Sequence, residues 1–290
     1  MNFKKYVSKN FASLEGRRIA VTGAAGGIGR EICRILLSLG ASLVVVDRNP
    51  KKQEALITSL KTEYPNAEIF SELCDMQDVS AVSALADRLC DYALTDVILN
   101  AGAYSIPRCK TEFGYDNVFT INYISPLIIA DRLEGEITVR GGKIVAVGSI
   151  AHRYSRIDRS DIDFSTRKRA SLVYGNSKRY LMYTFFARHK LTDAYVIAHP
   201  GITFTGITSH YPKWIFALIK HPMKLIFMKA RTAALSIVAA LFGDTLADAW
   251  YGPRFFDVWG LPKLRRLRVD SAEREFAAAT SDRILNEVKK

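Results

Sequence analysis

Six short apolar runs alternate with segments of helical period from Arg18 onward, and this alternation limits the fold more than any other feature. The runs are nearly continuous and rich in β-branched residues, as expected of strands that helices cover on both faces. They are Arg18–Val21, Leu43–Asp47, Glu68–Leu73, Asp96–Asn100, Lys143–Val147 and Ala194–Ala198. The predicted helices between them include Ile28–Leu39, Asn49–Tyr64 and Val79–Cys90. This order predicts an α/β protein with a single doubly wound parallel sheet and right-handed crossovers.

Unusual residues follow four of the predicted strands, at the edge where doubly wound sheets bind ligands. Val21 leads into a glycine-rich loop and Leu99 into Asn100-Ala101-Gly102. Val147 leads into Gly148-Ser149, and Ala198 into His199-Pro200-Gly201. The carboxyl edge of the sheet is therefore the predicted functional site.

No repeat or low-complexity linker divides the 290 residues, so we predict a single domain. Residues 17–201 form its predicted cofactor-binding and catalytic core. Residues 202–262 form a predicted substrate lid and C-terminal elements, and residues 263–290 a basic segment with a final helix. Helices are predicted near Arg231–Phe242 and over Ser271–Val288.

The composition excludes several classes of protein. An apolar fraction of 49% is that of a folded chain. Four scattered cysteines without a CxxC pair predict a reduced, cytoplasmic protein, and no His or Cys grouping has metal-ligand spacing. No apolar run has the length of a signal peptide or of a membrane span. The net charge of +12 comes without a nucleic-acid-binding motif, so it indicates a solvated surface or attraction to anionic membranes rather than a nucleic-acid partner.

The loop from Thr22 to Gly29 follows a strand and opens a helix, where a pyrophosphate can approach free backbone N–H groups. Its predicted contacts are Gly23, Ala25, Gly27, Ile28 and Gly29. Asp47 ends the next strand and would accept hydrogen bonds from the adenosine ribose while repelling a 2′-phosphate, which favours NAD. Arg48 could instead pair with such a phosphate, which leaves NADP open. A plain turn at Asp47 would explain its polarity but not its coincidence with the loop.

Taken in order, these motifs resemble those of the short-chain dehydrogenases/reductases. Thr22–Gly29 matches the family's TGxxxGxG, Asn100–Gly102 its NAG, and Tyr174 with Lys178 its YxxxK. The family's other positions are matched by Asp75, Asn122, Ser149 and Pro200-Gly201. The match runs from about residue 17 to residue 205. The Ser149–His152 segment and the YxxSK form are most similar to the retinol-dehydrogenase-like branch.

The resemblance implies a Rossmann fold and further contacts with an NAD or NADP cofactor. Those contacts would come from Asp75, Met76, Asn100, Ala101, Gly102, Tyr174, Lys178, Pro200, Gly201, Ile202, Thr203 and Thr205. In this family the YxxxK lysine holds the nicotinamide ribose, and the asparagine fixes a water that relays protons. Subunits of the family commonly pair through the helices that here carry Asn122 and Tyr174, which implies a homodimer or homotetramer.

The chemistry of hydride transfer asks for these residue types independently. A ketone that receives a hydride becomes an alkoxide and needs a proton, so a general acid must stand beside it, here Tyr174. Lys178 lies one helical turn away and is expected to lower the tyrosine pKa from its usual value of about 10. Ser149 would bind the substrate oxygen. Each residue alone is commonplace, whereas Asn122, Ser149, Tyr174 and Lys178 together behind a nucleotide loop predict an enzyme.

The residues after Gly201 are predicted to cover the nicotinamide and are rich in aromatic side chains, Phe204 and Trp214 among them. Tyr104, Ser149 and Tyr154 would complete a wall that suits a lipophilic alcohol or ketone, such as a retinoid, a steroid or an aliphatic compound. The same side chains could equally pack as core or as a subunit interface. Lysines lie among the aromatics of residues 213–229 and 3–14, a pattern that also predicts peripheral membrane contact.

The alternative function is a catalytically idle protein that senses the dinucleotide and regulates a partner. The complete set of candidate catalytic residues favours the enzyme. The GxxxGxG spacing of Gly23, Gly27 and Gly29 disfavours the sugar-nucleotide epimerases, whose loop is usually GxxGxxG. The substrate, the direction of the reaction and its stereochemistry are left open by the sequence.

Overall fold

Eight strands form one sheet in the computed structural model, which describes residues 3–203 and 228–290. They are β1 (Arg18–Thr22), β2 (Ser42–Asp47), β3 (Ile69–Leu73), β4 (Asp96–Leu99), β5 (Ile144–Val147), β6 (Tyr195–Ala198), β7 (Ala249–Phe255) and β8 (Trp259–Arg266). Their spatial order is β3-β2-β1-β4-β5-β6-β7-β8, and all neighbours are parallel except the antiparallel pair β7 and β8. The six strands predicted from the sequence are confirmed as β1 to β6. The order reverses between β1 and β4, where a ligand cleft is expected.

Helices cover both faces of the sheet. They are α1 (Phe3–Asn10), α2 (Gly27–Ser38), α3 (Pro50–Glu63), α4 (Val79–Cys90), α5 (Asn117–Phe119), α6 (Ser125–Val139), α7 (Ala170–His189), α8 (Ala230–Ala239) and α9 (Ser271–Val288). A π-helical segment, Thr120–Ile124, joins α5 to α6, and a 3-10 helix spans Ile150–Tyr154. The predicted helices are confirmed. Asn49 and Asp78 cap α3 and α4 by accepting hydrogen bonds from backbone N–H groups.

Successive side chains of the central strands point into two separate cores. On β2, Val44 and Val46 pack on the side of α4 and α6, whereas Leu43 and Val45 pack on the side of α2 and α3. All four side chains are fully buried. Because both faces are covered, the strands can be apolar throughout, which is why their sequence pattern was so clear.

The hairpin of β7 and β8 extends the sheet beyond the six predicted strands. The region predicted as a lid and a basic segment thus supplies two strands, and the basic run from Lys263 lies partly on β8. Pro253 and Pro262 face each other in this pair, and a bulge interrupts its register near the turn. Prolines are tolerated on an edge strand such as β8 and next to a bulge, as at Pro253 of β7, but they hide the strand pattern in the sequence.

The basic N-terminal stretch forms α1, and its apolar side chains are used inside the protein. Val7, Phe11 and Leu14 are buried, and the ring of Phe11 stacks on that of Phe242 with centroids 5.2 Å apart. These three side chains are therefore not available to a membrane, whereas Phe3 and Tyr6 are only partly buried, and membrane contact through this stretch stays a prediction. The second candidate stretch falls almost entirely on residues 204–227, outside the described residues. In the described ranges, no helix combines the length and the apolar character needed to cross a bilayer.

The C-terminal helix α9 lies across α7. Ala277 and Ile284 of α9 are fully buried in the same core as Tyr180 of α7. Thr184 also donates a hydrogen bond of 3.3 Å to the carbonyl oxygen of Ala277. One surface of the helix that carries Tyr174 is thus already covered within the chain.

Candidate active site

A cleft of about 760 Å³ opens at the carboxyl edge of the sheet, where the strand order reverses. The predicted cofactor, catalytic and substrate residues that line it are Gly23, Gly27, Ile28, Gly29, Asp47, Arg48, Asp75, Met76, Asn100, Ala101, Gly102, Tyr104, Ser149, Tyr154, Tyr174, Lys178, Pro200, Gly201, Ile202 and Thr203. Ala25 and Asn122 are not among the lining residues. Phe204, Thr205 and Trp214 fall outside the described residues. A second hollow of about 770 Å³, at the amino edge near Arg18, holds none of the predicted residues.

The glycine loop and the Asn100 segment are tied together. Gly23 has a positive φ of 63°, and a Cβ at this position would lie 2.9 Å from the Cα of Ala101. The Asn100 side chain donates hydrogen bonds to the carbonyl oxygens of Thr22 and Gly23, at 3.0 and 3.2 Å. Only glycine combines this backbone conformation with so close an approach. The two motifs therefore form one rigid rim of the cleft.

The first turn of α2 suits an anionic group. The helix begins at Gly27 without a side-chain cap, so the N–H groups of its first turn face the cleft with the positive end of the helix dipole. Asp47 stands beside this turn, and its carboxylate accepts hydrogen bonds from the N–H groups of Ala25 and Asn49, at 3.0 and 3.1 Å. An uncapped helix start next to a fixed carboxylate fits the pyrophosphate and ribose of a dinucleotide.

Lys52 is a residue that the sequence analysis missed. It is exposed and lines the cleft beside Asp47 and Arg48. Its position on the first turn of α3 brings its ammonium to the same end of the cleft as the Arg48 guanidinium. The only available signal was closeness in sequence, since Lys52 lies on the first turn of the helix that begins two residues after Arg48.

Asn122 is fully buried in the π-helical segment. Its side chain accepts a hydrogen bond of 2.9 Å from the Ala103 N–H and donates to the Ala103 carbonyl at 2.8 Å and to the Ser177 hydroxyl at 3.1 Å. It thereby fixes the chain after the Asn100–Gly102 motif against α7. The water relay that the family resemblance implies for Asn122 stays a prediction.

Tyr174 and Lys178 both project from α7 into the same end of the cleft. Lys178 is 3% exposed and donates a hydrogen bond of 2.8 Å to the carbonyl oxygen of Val147. Burial lowers the pKa of Lys178 to about 8. Its Nζ lies 5.9 Å from the centroid of the Tyr174 ring.

The pKa of Tyr174 differs from the sequence expectation. Burial raises the pKa of Tyr174 to about 12, and the hydrogen bond with Ser149 opposes that rise only in part. Tyr104, whose ring meets Tyr174 edge-on with centroids 5.2 Å apart, adds to it. The expected lowering by Lys178 is not found: the one group that lowers this pKa is Ser149, and desolvation outweighs it. Tyr174 is therefore protonated at neutral pH.

Ser149 stands at the end of β5 and caps the 3-10 helix. Its hydroxyl accepts a hydrogen bond of 3.2 Å from the Ala151 N–H, and it also bonds the hydroxyl of Tyr174. Two hydroxyl groups, from Ser149 and Tyr174, thus meet beside a buried ammonium. A carbonyl or alcohol oxygen placed between them would find two hydrogen-bonding partners.

Comparison with known proteins shows the family to which the chain belongs. The model of the short chain dehydrogenase family matches residues 17–161. Mouse retinol dehydrogenase 12 is 28% identical over 205 residues, which cover 67% of this chain and 64% of that protein. A probable oxidoreductase of Streptomyces lividans is 30% identical over 203 residues, or 68% of each chain. The chain belongs to the short-chain dehydrogenase family, and it spans about two thirds of the length of the curated relatives it matches.

Solved structures show the same fold. A protein from Mycobacterium paratuberculosis, described as putative and uncharacterized, superposes with a TM-score of 0.74 and 24% identity over 98% of this chain and 97% of that one. A gluconate 5-dehydrogenase from Beutenbergia cavernae, also described as putative and solved with bound NADP, gives a TM-score of 0.60 and 17% identity over 79% and 91%. At these identities the likeness concerns the fold. Retinol dehydrogenases among the curated relatives agree with the expected branch of the family.

Proposed function

We propose that this protein is an NAD(P)-dependent oxidoreductase that interconverts a lipophilic alcohol and the corresponding ketone or aldehyde. One observation carries the proposal: Ser149, Tyr174 and Lys178 converge at one end of a continuous cleft whose other end is the uncapped start of α2. The cleft thus joins a proton donor to an anion-binding loop. Membership in the short-chain dehydrogenase family supports the same activity.

The residues of this chain have distinct tasks in such a reaction. When bound, the nicotinamide supplies or accepts the hydride. Tyr174 holds a proton at neutral pH and can give it to the oxygen of a carbonyl substrate, so the site as it stands suits reduction. Ser149 binds the same oxygen, and the Lys178 ammonium stabilises negative charge that develops there. Asn122 keeps the Ala103 segment in place behind them.

The walls next to Ser149 favour an apolar substrate. Tyr104, Ile106, Ile150 and Tyr154 line the cleft near Tyr174. Such walls suit a retinoid, a steroid or a long aliphatic compound, and the retinol dehydrogenases among the relatives point to the same class. Phe204 and Trp214, which are also predicted to contact the substrate, lie outside the described residues.

Turnover assays test the proposal directly. Oxidation of NADH and NADPH would be followed by absorbance with panels of retinal, steroid ketones and aliphatic aldehydes, and the reverse reaction with the alcohols. We expect turnover with at least one lipophilic carbonyl. Tight binding of the cofactor without turnover on any member would instead favour the idle, dinucleotide-sensing alternative, and absence of cofactor binding would contradict both.

The preference for NAD over NADP should depend on Asp47. We expect Asp47→Asn to move the ratio of NADH to NADPH affinity toward NADPH by about tenfold or more, since a unit charge pair at ~4 Å is worth between 1 and 4 kcal/mol. Asparagine keeps one acceptor for the Ala25 N–H, so the loop stays anchored. Conversely, the double variant Arg48→Ala/Lys52→Ala should weaken NADPH binding, because it removes two cations that could pair with the 2′-phosphate. NADH has no such phosphate, so its binding should be unchanged. Fluorescence titration of both cofactors measures these affinities.

Peripheral membrane contact is best assigned to the turn between β7 and β8. β7 runs parallel to β6, so this turn projects at the edge where the cleft opens. Phe255, Phe256 and Trp259 there are 57%, 80% and 41% exposed, and Arg254 beside them is exposed too. Exposed aromatic rings beside cations match an anionic lipid surface.

We expect the Phe256→Ser/Trp259→Ser variant to lose about tenfold or more in affinity for phosphatidylglycerol vesicles, since burying one aromatic side chain is worth ~2 kcal/mol. Leu191→Ser is the matched control, because Leu191 is 83% exposed but lies between the end of α7 and the start of β6, near the amino edge of the sheet. Sedimentation with vesicles measures binding. Equal binding by both variants and the unchanged protein would contradict this assignment.

The cytoplasmic location and the oligomeric state stay predictions, and light scattering would give the mass in solution.

A further inference from the structure

A chain of contacts runs from the C-terminal helix α9 to the backbone of Ser149. It uses residues that have no part in the proposed reaction. We propose that His152 and Arg179 are positioning residues that hold Ser149 toward the substrate oxygen, and that Glu273 of α9 holds Arg179. The role of Ser149 rests on the proposed function, whereas the contacts themselves do not.

The first link joins His152 to Ser149. The carbonyl oxygen of Ser149 accepts two hydrogen bonds from His152, one from its N–H at 3.1 Å and one from its ring Nδ1 at 2.7 Å. A carbonyl oxygen only accepts, so the ring proton lies on Nδ1. Burial lowers the pKa of His152 to about 4, which keeps the ring neutral at neutral pH. The ring is further held edge-on against Trp250, with centroids 5.5 Å apart.

The second link joins His152 to α7 and α9. Arg179 is 6% exposed, and its Nη1 donates a hydrogen bond of 3.0 Å to the carbonyl oxygen of His152. Its Nε pairs with the carboxylate of Glu273, and its guanidinium lies over the Tyr183 ring at 4.5 Å. A buried guanidinium without a partner is costly, so Glu273 keeps Arg179 in this place.

The same helix therefore carries Tyr174 and fixes the segment of Ser149. Helix α7 and the 3-10 helix that follows Ser149 are in direct backbone contact. A Cβ added to Gly175 of α7 would lie only 2.5 Å from the carbonyl oxygen of Ala151. The hydroxyl groups of Ser149 and Tyr174, which must both act on one substrate oxygen, are thus both held in place by α7. This matters because a displacement of ~1 Å can cost about a hundredfold in rate.

A pair of His152 variants separates the hydrogen bond from packing. Leucine keeps the apolar volume but has no donor, and we expect His152→Leu to lower kcat roughly ten- to a hundredfold with little change in KM. Asparagine places its amide nitrogen where Nδ1 lies, so His152→Asn should recover most of the loss. A merely structural role would instead make both variants equally slow and equally unstable.

A matched pair of arginines tests the link to α9. Arg179→Met and Arg274→Met each break an ion pair that attaches α9 to the rest of the chain: that of Arg179 with Glu273, and that of Arg274 with Asp248 at 2.7 Å, which is partly buried. Both should lower the melting temperature. Only Arg179→Met should reduce kcat and hasten hydrogen exchange of the Ala151 and His152 N–H groups, which bond to Ser149.

Hydrogen exchange keeps this inference separate from the proposed function. Faster exchange in His152→Leu and Arg179→Met supports the positioning of Ser149 even if no substrate on the panel is turned over, in which case the proposed function alone fails. Unchanged exchange and unchanged kcat in both variants overturn the inference. So would equal losses in Arg179→Met and Arg274→Met, since they would reflect only the attachment of α9.

Discussion

Replacing Tyr174 with phenylalanine should slow turnover by roughly 10²–10⁴-fold, the usual contribution of a positioned general acid. The substitution removes one oxygen and keeps the ring that packs edge-on against Tyr104. Because burial holds the pKa of Tyr174 near 12, its hydroxyl carries the proton that reduction needs throughout the neutral range. The steady-state rate of NAD(P)H oxidation with the best carbonyl substrate measures the effect, and cofactor affinity should stay the same.

Tyr104→Phe is the matched control for this prediction. It removes the same atom from the neighbouring ring, which also lines the cleft but makes no contact with Ser149 among the described hydrogen bonds. We expect turnover by Tyr104→Phe to change by less than about threefold, because the ring at this position contributes only packing and phenylalanine keeps that packing. Full activity of Tyr174→Phe together with loss in Tyr104→Phe would assign the acid to Tyr104.

The second large effect concerns Lys178 and pH. Its pKa of about 8 lies below the usual value for lysine, so the ammonium exists below pH 8 and is lost as the pH rises through that value. We expect kcat/KM for the reduced cofactor, which reports the free enzyme, to be level below pH 8 and to fall by about tenfold per pH unit above it.

Lys178→Met should be slow at every pH and should lack this decline. A unit charge ~6 Å from the reacting oxygen is worth ~3 kcal/mol at an effective dielectric constant of 20, which corresponds to a loss of roughly 10²-fold. Lys51→Met removes an exposed lysine that does not line the cleft and should keep the profile of the unchanged protein. A decline near pH 8 that persists in Lys178→Met would assign it to another group.

The parallel core and most of the candidate site could be predicted from local sequence. β1 and β2 are buried on both faces, so their apolar runs stand out, and the glycine loop must follow the first of them to meet an anion. The carboxyl ends of parallel strands meet at one edge, so residues as distant as Asn100, Ser149 and Gly201 are predicted to lie together from the sequence alone. For these residues the sequence already predicts which ones lie near each other, and the structure adds the distances between them.

Other features depend on contacts between distant parts of the chain. β7 and β8 were not predicted, because the prolines and charges that are tolerated on an edge strand and at a bulge leave no periodic pattern. The apolar residues of the N-terminal stretch suggested a membrane, yet Phe11, just after α1, stacks on Phe242 inside the protein. Arg179 and Glu273 are 94 residues apart, and nothing in either neighbourhood shows that they pair behind Ser149.

The motif residues and the order of strands and helices thus follow from local pattern, since periodicity and backbone demands are properties of short segments. The ionisation of Tyr174 and Lys178, the partner of α1 and the support of Ser149 by α9 were decided only by the tertiary structure. Each of these depends on burial and on contacts across the fold. Desolvation in particular has no signature in sequence, and here it is strong enough to move the pKa of Tyr174 up to about 12 and that of Lys178 down to about 8.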